Sequence, residues 1–244
     1  MVVFGHGFQL PPSQYAAYLR QLASFGYVAL TVDFPAAFSG PDNVNEAKDL
    51  SAGVDWAAAD ATVGALVDTT RVGMSGHSLG GKVALLAATQ DSRVKAALVL
   101  DPVDGAMSCA QAGHCPDVAP LMSGLHIPTG FLGELTDQGS NDCAPAAQNF
   151  QTFFARTNAP SLQVTVNGAN HMSFLDAPST CGFVCSFCTP STVPDAQVHA
   201  LAQSYMTAFF ERYLRGIAAY DADLTGTRAQ ARYVSTNQAR IAAR

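Results

Sequence analysis

Gly76-His77-Ser78-Leu79-Gly80 stands between a short apolar run, Arg71 to Met74, and an Ala/Leu-rich segment that continues to Gln90. The run reads as a buried strand and the segment as a helix, so the five residues fit the G-x-S-x-G turn between them. A strand that passes directly into a helix forces the residue at the turn into a strained backbone conformation. Its neighbours two positions away must then lack side chains. Ser78 would project from the carboxyl end of a sheet, beside a helix N-terminus whose unpaired N–H groups favour negative charge. The bare pattern arises by chance in about one chain in ten of this length. The flanking strand, the flanking helix and the doubled glycine, Gly80-Gly81, make it specific.

The remaining chain repeats the alternation of strand and helix. Strands are predicted at Met1 to Phe4, Tyr27 to Val32, Ala96 to Leu100, Ile127 to Leu132 and Leu162 to Val166. Helices are predicted at Ser13 to Ser24, Val44 to about Ala59, Ala146 to Thr157 and Asp195 to Leu214. Such alternation implies an α/β fold, a mostly parallel sheet with helices on both faces, in which sites form outside the carboxyl ends of the strands. That rule gathers Phe8, Asp33, Ser78, Asp101, Glu134 and His171 at one edge. Residues 1–220 are expected as a single domain, and 221–244, with Arg228, Arg232, Arg240 and Arg244 and little apolar periodicity, as a loosely ordered tail.

Composition narrows the partners. Of 244 residues, 48% are hydrophobic and 13% charged, enough to bury a sizeable core, and the net charge of −6 argues against nucleic acid. No apolar run approaches the length of a membrane span. Met-Val-Val-Phe at the start reads as a strand and not as a secretory leader. Six cysteines (109, 115, 143, 181, 185 and 188) lie in loop-like sequence, which predicts disulfides and a secreted or periplasmic location. Their pairing stays open, although Cys109 with Cys115 would close a short loop. Zinc on Cys181, Cys185 and Cys188 ranks behind disulfides because no second C-x-x-C or histidine pair completes a site.

A serine hydroxyl needs a histidine to accept its proton and a carboxylate to orient that histidine. His171, in the loop after the last predicted parallel strand, satisfies the chain order Ser, acid, His. His77 should point away from Ser78. His6 belongs to the Gly5-His-Gly-Phe8 turn, His114 to a Cys-rich excursion and His199 to a helix, while His126 precedes a strand. Asp101, Glu134 and Asp137 all follow strand ends and could each supply the acid. Two backbone donors, the N–H groups of Leu79 and Phe8, could hold an oxyanion. Phe34, Phe38, Met107, Met172 and Phe174 flank the strand ends and could line an apolar pocket or simply join the core. This chemistry needs no metal or organic cofactor.

Gly5-His-Gly-Phe8, Gly76-His-Ser-Leu-Gly-Gly-Lys82, Ala97-Leu-Val-Leu-Asp-Pro-Val-Asp-Gly105, Gly133-Glu-Leu135 with Cys143-Ala-Pro145, and Asn170-His-Met172 together resemble the α/β-hydrolases, specifically the chlorophyllase-like esterases. The related platelet-activating-factor acetylhydrolases have a similar arrangement. The resemblance implies an α/β-hydrolase fold, here without the usual strands ahead of the His-Gly-Phe strand. It also implies a serine carboxylic-ester hydrolase working through a covalent acyl-enzyme, and it carries the triad acid to Asp101. Plant chlorophyllases read Gly-His-Ser-Arg-Gly-Gly, whereas Leu79 resembles bacterial lipases and polyester hydrolases. That departure weighs against chlorophyll, and because apolar residues dominate the expected pocket the expected substrates are short-to-medium acyl or hydrophobic esters, small or polymeric, with chlorophyll, lipid and polyester as alternatives. A non-catalytic binding protein on the same scaffold, or a redox protein using Cys185 and Cys188, would have no need of both Ser78 and His171.

Overall fold

The computed structural model describes residues 1–34, 40–105, 109–140 and 142–244. Seven strands, β1 Val2–Gly5, β2 Ala29–Val32, β3 Val72–His77, β4 Val94–Leu100, β5 Thr129–Gly133, β6 Ser161–Val166 and β7 Ala239–Ala243, form one sheet in the order β2-β1-β3-β4-β5-β6-β7. The first six run parallel and β7 is antiparallel to β6. Five principal helices cover it: α1 Ala16–Ser24, α2 Asn43–Ala59, α3 Leu79–Gln90, α4 Phe150–Arg156 and α5 Asp195–Tyr213.

Both faces of the central strands are buried, because side chains alternate across each strand and helices lie on either side. Val2 and Phe4 of β1, with Ala96, Leu98 and Leu100 of β4, pack against α1, the turn just ahead of it and α5 through Tyr15, Tyr18, Leu22, Phe209 and Phe210. Val3, Ala97 and Val99 point the other way, onto α2, α3 and α4 through Leu50, Val54, Val83, Leu86 and Phe153. This explains the continuous apolar runs of the central strands. Gly73 on β3 makes room for α5, since a Cβ there would meet Phe210 Cε1 at 2.7 Å. Helix α2 starts where Asp42 accepts the N–H of Asn45 at 3.0 Å, which satisfies one of the donors every helix N-terminus leaves open.

The segment 221–244, expected as a loosely ordered tail, is structured. Leu224 and Tyr233 are buried, the Tyr233 ring lies 5.3 Å from that of Tyr205, and β7 pairs with β6 from Ala239 opposite Val166 to Ala243 opposite Leu162. Arg244 and Ser161 exchange both backbone hydrogen bonds at 2.9 and 3.1 Å, and the Arg244 guanidinium lies 4.5 Å from the centre of the Phe154 ring. Ala-Arg-Ile-Ala-Ala carries almost no local strand signal; what makes it a strand is the open edge of β6.

The cysteines pair as Cys109–Cys115, Cys143–Cys188 and Cys181–Cys185. The sulfurs considered for zinc are thus joined to sulfur. Among the described residues no helix is long and apolar enough to cross a membrane.

Candidate active site

Ser78 occupies the single residue between β3 and α3, with φ 55° and ψ −122°. Strain of this kind in a residue with a side chain costs about 1–3 kcal/mol and persists only where the surroundings impose it. Here the surroundings are three glycines in backbone contact. A Cβ on Gly76 would overlap the Gly80 carbonyl, one on Gly80 would overlap the carbonyls of Gly5 and His6, and one on Gly5 would come within 2.8 Å of the Gly80 oxygen. The G-x-S-x-G spacing and the glycine that ends β1 are one steric unit.

His171 opens a short turn after β6, steadied by Ser173, whose Oγ donates to Asn170 Oδ1 at 2.9 Å. Its Nε2 lies 2.8 Å from Ser78 Oγ and its Nδ1 lies 2.7 Å from Asp101 Oδ2. A carboxylate only accepts, so Nδ1 carries the proton and Nε2 is left to accept from the serine. Asp101 follows β4 with φ 41° and is fully buried. Burial pushes its pKa up, and the hydrogen bond and charge of His171 work against that shift. Its second oxygen, Oδ1, has no hydrogen-bond partner among the described residues.

The three acids that followed strand ends have separated roles. Asp101 takes the imidazole ring. Asp137, fully buried, accepts the backbone N–H of His171 at 2.9 Å through Oδ2 and that of Thr189 at 2.5 Å through Oδ1. Glu134 accepts the N–H groups of Thr136 and Asp137, and burial, reinforced by the charge of Asp101, pushes its pKa up to about 9. At neutral pH it holds its proton and is unsuited to stabilise an imidazolium.

Phe8 and Leu79 border a common cavity of about 270 Å³, with His6, Leu10, Phe34 and Glu46 also in its wall. Leu79 is the first residue of α3, so no helical carbonyl precedes it to take its N–H. The Phe8 N–H meets no acceptor among the described residues. His6 braces this loop from below: Nδ1–H donates to Gly7 O at 2.9 Å and Nε2 accepts from Phe34 N–H at 2.8 Å. Burial lowers the His6 pKa, which suits this neutral, half-donor, half-acceptor arrangement.

Of the expected pocket residues, Phe34 is in the cavity wall. Met172 lines a separate hollow of about 480 Å³ beside the Cys-rich loop, formed with Asn170, Cys188 and Pro190. Phe174 is fully buried in the core below His77, with ring centres 6.0 Å apart, and cannot reach a ligand. The reason is the tight turn after His171, which directs its fourth residue inward. Phe38 and Met107 lie outside the described residues.

Two further features escaped sequence reasoning. Lys82 is completely buried; its Nζ donates to the Asp104 carbonyl at 2.7 Å and lies 3.6 Å from Asp104 Oδ1. Burial lowers its pKa and Asp104 counters that shift. The Asp104 carboxylate also accepts Val118 and Ala119 N–H groups at 2.7 and 2.8 Å, so this pair ties Asp104 to both α3 and the backbone at Val118 and Ala119. The second feature is His77. Its side chain does turn away from Ser78, but it lands against His171, with ring centres 4.7 Å apart.

Comparison with known proteins follows the same lines. The chlorophyllase family model matches residues 1–236. Chlorophyllase type 0 of Chenopodium album is 24% identical over 234 residues, covering 88% of this chain and 67% of the relative. Cutinase 2 of Thermobifida cellulosilytica is 36% identical over 158 residues, 63% of this chain and 53% of the cutinase. Lipase 1 of a Moraxella species is 40% identical over 82 residues, 34% of this chain and 25% of the lipase. The matches thus span between a quarter and two thirds of these relatives' length. A solved ferulic acid esterase from Streptomyces cinnamoneus superposes with a TM-score of 0.68 at 26% identity, covering 88% of this chain and 67% of the esterase.

Proposed function

The chain belongs to the chlorophyllase family of α/β-hydrolases, and from that premise we propose that it hydrolyses carboxylic esters through an acyl-enzyme on Ser78. The observation that carries this reading is the run of two short hydrogen bonds, Ser78 Oγ to His171 Nε2 at 2.8 Å and His171 Nδ1 to Asp101 Oδ2 at 2.7 Å. His171 takes the hydroxyl proton as Oγ attacks the ester carbonyl, and the N–H groups of Leu79 and Phe8 receive the oxyanion. Asp101 stabilises the imidazolium. Collapse of the tetrahedral intermediate breaks the C–O bond, and His171 returns the proton to the departing alcohol. Water, deprotonated by His171, then releases the acid by the reverse sequence.

The substrates proposed are short-to-medium acyl or hydrophobic esters. The mainly apolar cavity beside Phe8 and Leu79 supports this, as do the similarities to a cutinase and to a ferulic acid esterase. Three disulfides support an oxidising, extracellular compartment. The direct test is p-nitrophenyl butyrate hydrolysis by the wild type beside Ser78→Ala. The expected result is activity in the first and near-complete loss in the second; equal rates would overturn the role of Ser78.

A further inference from the structure

Behind the elbow, side chains outside the proposed triad join in one buried chain. The Tyr15 hydroxyl accepts the backbone N–H of Gly7 at 3.1 Å and lies 2.8 Å from His77 Nδ1. His77 Nε2 lies 2.9 Å from the carbonyl oxygen of His171. A carbonyl cannot donate, so Nε2 carries the proton, Nδ1 must accept, and Tyr15 must donate. Every hydrogen has one direction: Gly7 N–H to Tyr15, Tyr15 O–H to His77, His77 N–H to His171. Both side chains are completely buried, so water offers no substitute partners.

The ends of this chain are the two parts of the site that the elbow does not itself position. Gly7 precedes Phe8, whose N–H is the second proposed oxyanion donor. Its carbonyl, which shares a peptide group with the Phe8 N–H, is held by His6 Nδ1–H at 2.9 Å and Leu10 N–H at 3.0 Å, so Gly7 is held on both sides: Tyr15 takes the peptide before it and His6 with Leu10 the peptide after it. At the other end, His171 is gripped at its N–H by Asp137 and at its C=O by His77.

We propose that Tyr15 and His77 are positioning residues for ester hydrolysis, a relay that sets the oxyanion loop and the backbone of His171 in register with each other across Ser78. The proposal rests on the ester-hydrolase reading given above. Neither residue touches substrate; both act through the groups they hold. A neutral His77 is required, because its ring adjoins His171 while the latter carries a proton, and burial, with the neighbouring His171, lowers the His77 pKa well below the ordinary range. Burial likewise raises the Tyr15 pKa, which keeps the hydroxyl a donor.

The test is steady-state hydrolysis of p-nitrophenyl butyrate by the full chain as wild type, Ser78→Ala, Tyr15→Phe, His77→Phe and the Tyr15→Phe/His77→Phe double variant, with thermal melts alongside. Tyr15→Phe keeps the ring that packs 4.9 Å from Phe4 and removes only the hydroxyl. A positioning role predicts kcat lowered by about tenfold with KM within about twofold, since the interaction lost serves the transition state. The double variant should be no worse than the worse single one, because either change already interrupts the same chain. Folded Tyr15→Phe with wild-type kcat, or losses that multiply in the double variant, would overturn the relay. If His77→Phe does not fold, Tyr15→Phe decides alone. An active Ser78→Ala would instead remove the hydrolase reading, a separate outcome.

Discussion

Asp101 and Asp137 hold the same histidine from two directions: Asp101 Oδ2 takes the ring Nδ1–H of His171 at 2.7 Å, and Asp137 Oδ2 takes its backbone N–H at 2.9 Å. One carboxylate sets the tautomer and charge of the imidazole. The other sets where the imidazole stands.

Replacing each acid by its amide should separate the two roles. Asp101→Asn presents an NH2 or a weaker acceptor to Nδ1 and favours the wrong tautomer, so kcat should fall by about 10³–10⁴-fold. Asp137→Asn keeps an acceptor oxygen for one of its two backbone donors, and a loss of about tenfold is expected. Steady-state kinetics with KM measured for both variants checks the order. Equal losses would mean that Asp101 does no more than position.

Glu134 makes stability depend on pH in a recognisable way. Its pKa is about 9 in the folded protein against an ordinary 4.5, so between these values the folded state holds a proton that the unfolded chain has released. Stability from this group is fully present below about pH 4.5 and falls as pH rises towards 9. Glu134→Gln mimics the protonated acid at every pH. Urea midpoints at pH 5, 7 and 9 should decline less steeply in the variant than in the wild type; parallel declines would contradict a protonated Glu134.

The glycine contact predicts a sharp contrast between two alanine substitutions. Gly80→Ala drives a Cβ into the carbonyls of Gly5 and His6, whereas one on Gly124 meets nothing within 4 Å. Gly80→Ala should cost about 1–3 kcal/mol or prevent folding, and Gly124→Ala should stay within about 0.5 kcal/mol. Denaturant melts of both variants provide the comparison.

The cavity is open to a test that spares the proposed oxyanion donors. Phe8→Ala keeps its backbone N–H and enlarges the space shared with Leu79 and Phe34. An acyl-length series should then show octanoate gaining on butyrate in kcat/KM. An unchanged ratio would place the acyl chain elsewhere.

Much of this molecule could be read along the chain. The strand–turn–helix around Ser78, the parallel direction of the central strands, and the place of His171 in the loop after β6 all follow from local patterns of apolar runs, glycines and spacing. These are short-range properties, and a sequence carries them directly. Tertiary structure decided the rest, because it depends on which distant groups share a buried space. Three acids at strand ends are alike in sequence. They differ only because Asp101 faces the His171 ring, Asp137 faces its backbone, and Glu134 is buried beside Asp101's charge. His77 reads as a structural neighbour of the serine, and its link to Tyr15, 62 positions away, exists only once α1 lies against the sheet. The last strand shows the same division: Ala239–Ala243 has weak propensity of its own and becomes β7 because β6 offers unpaired backbone groups along an open edge.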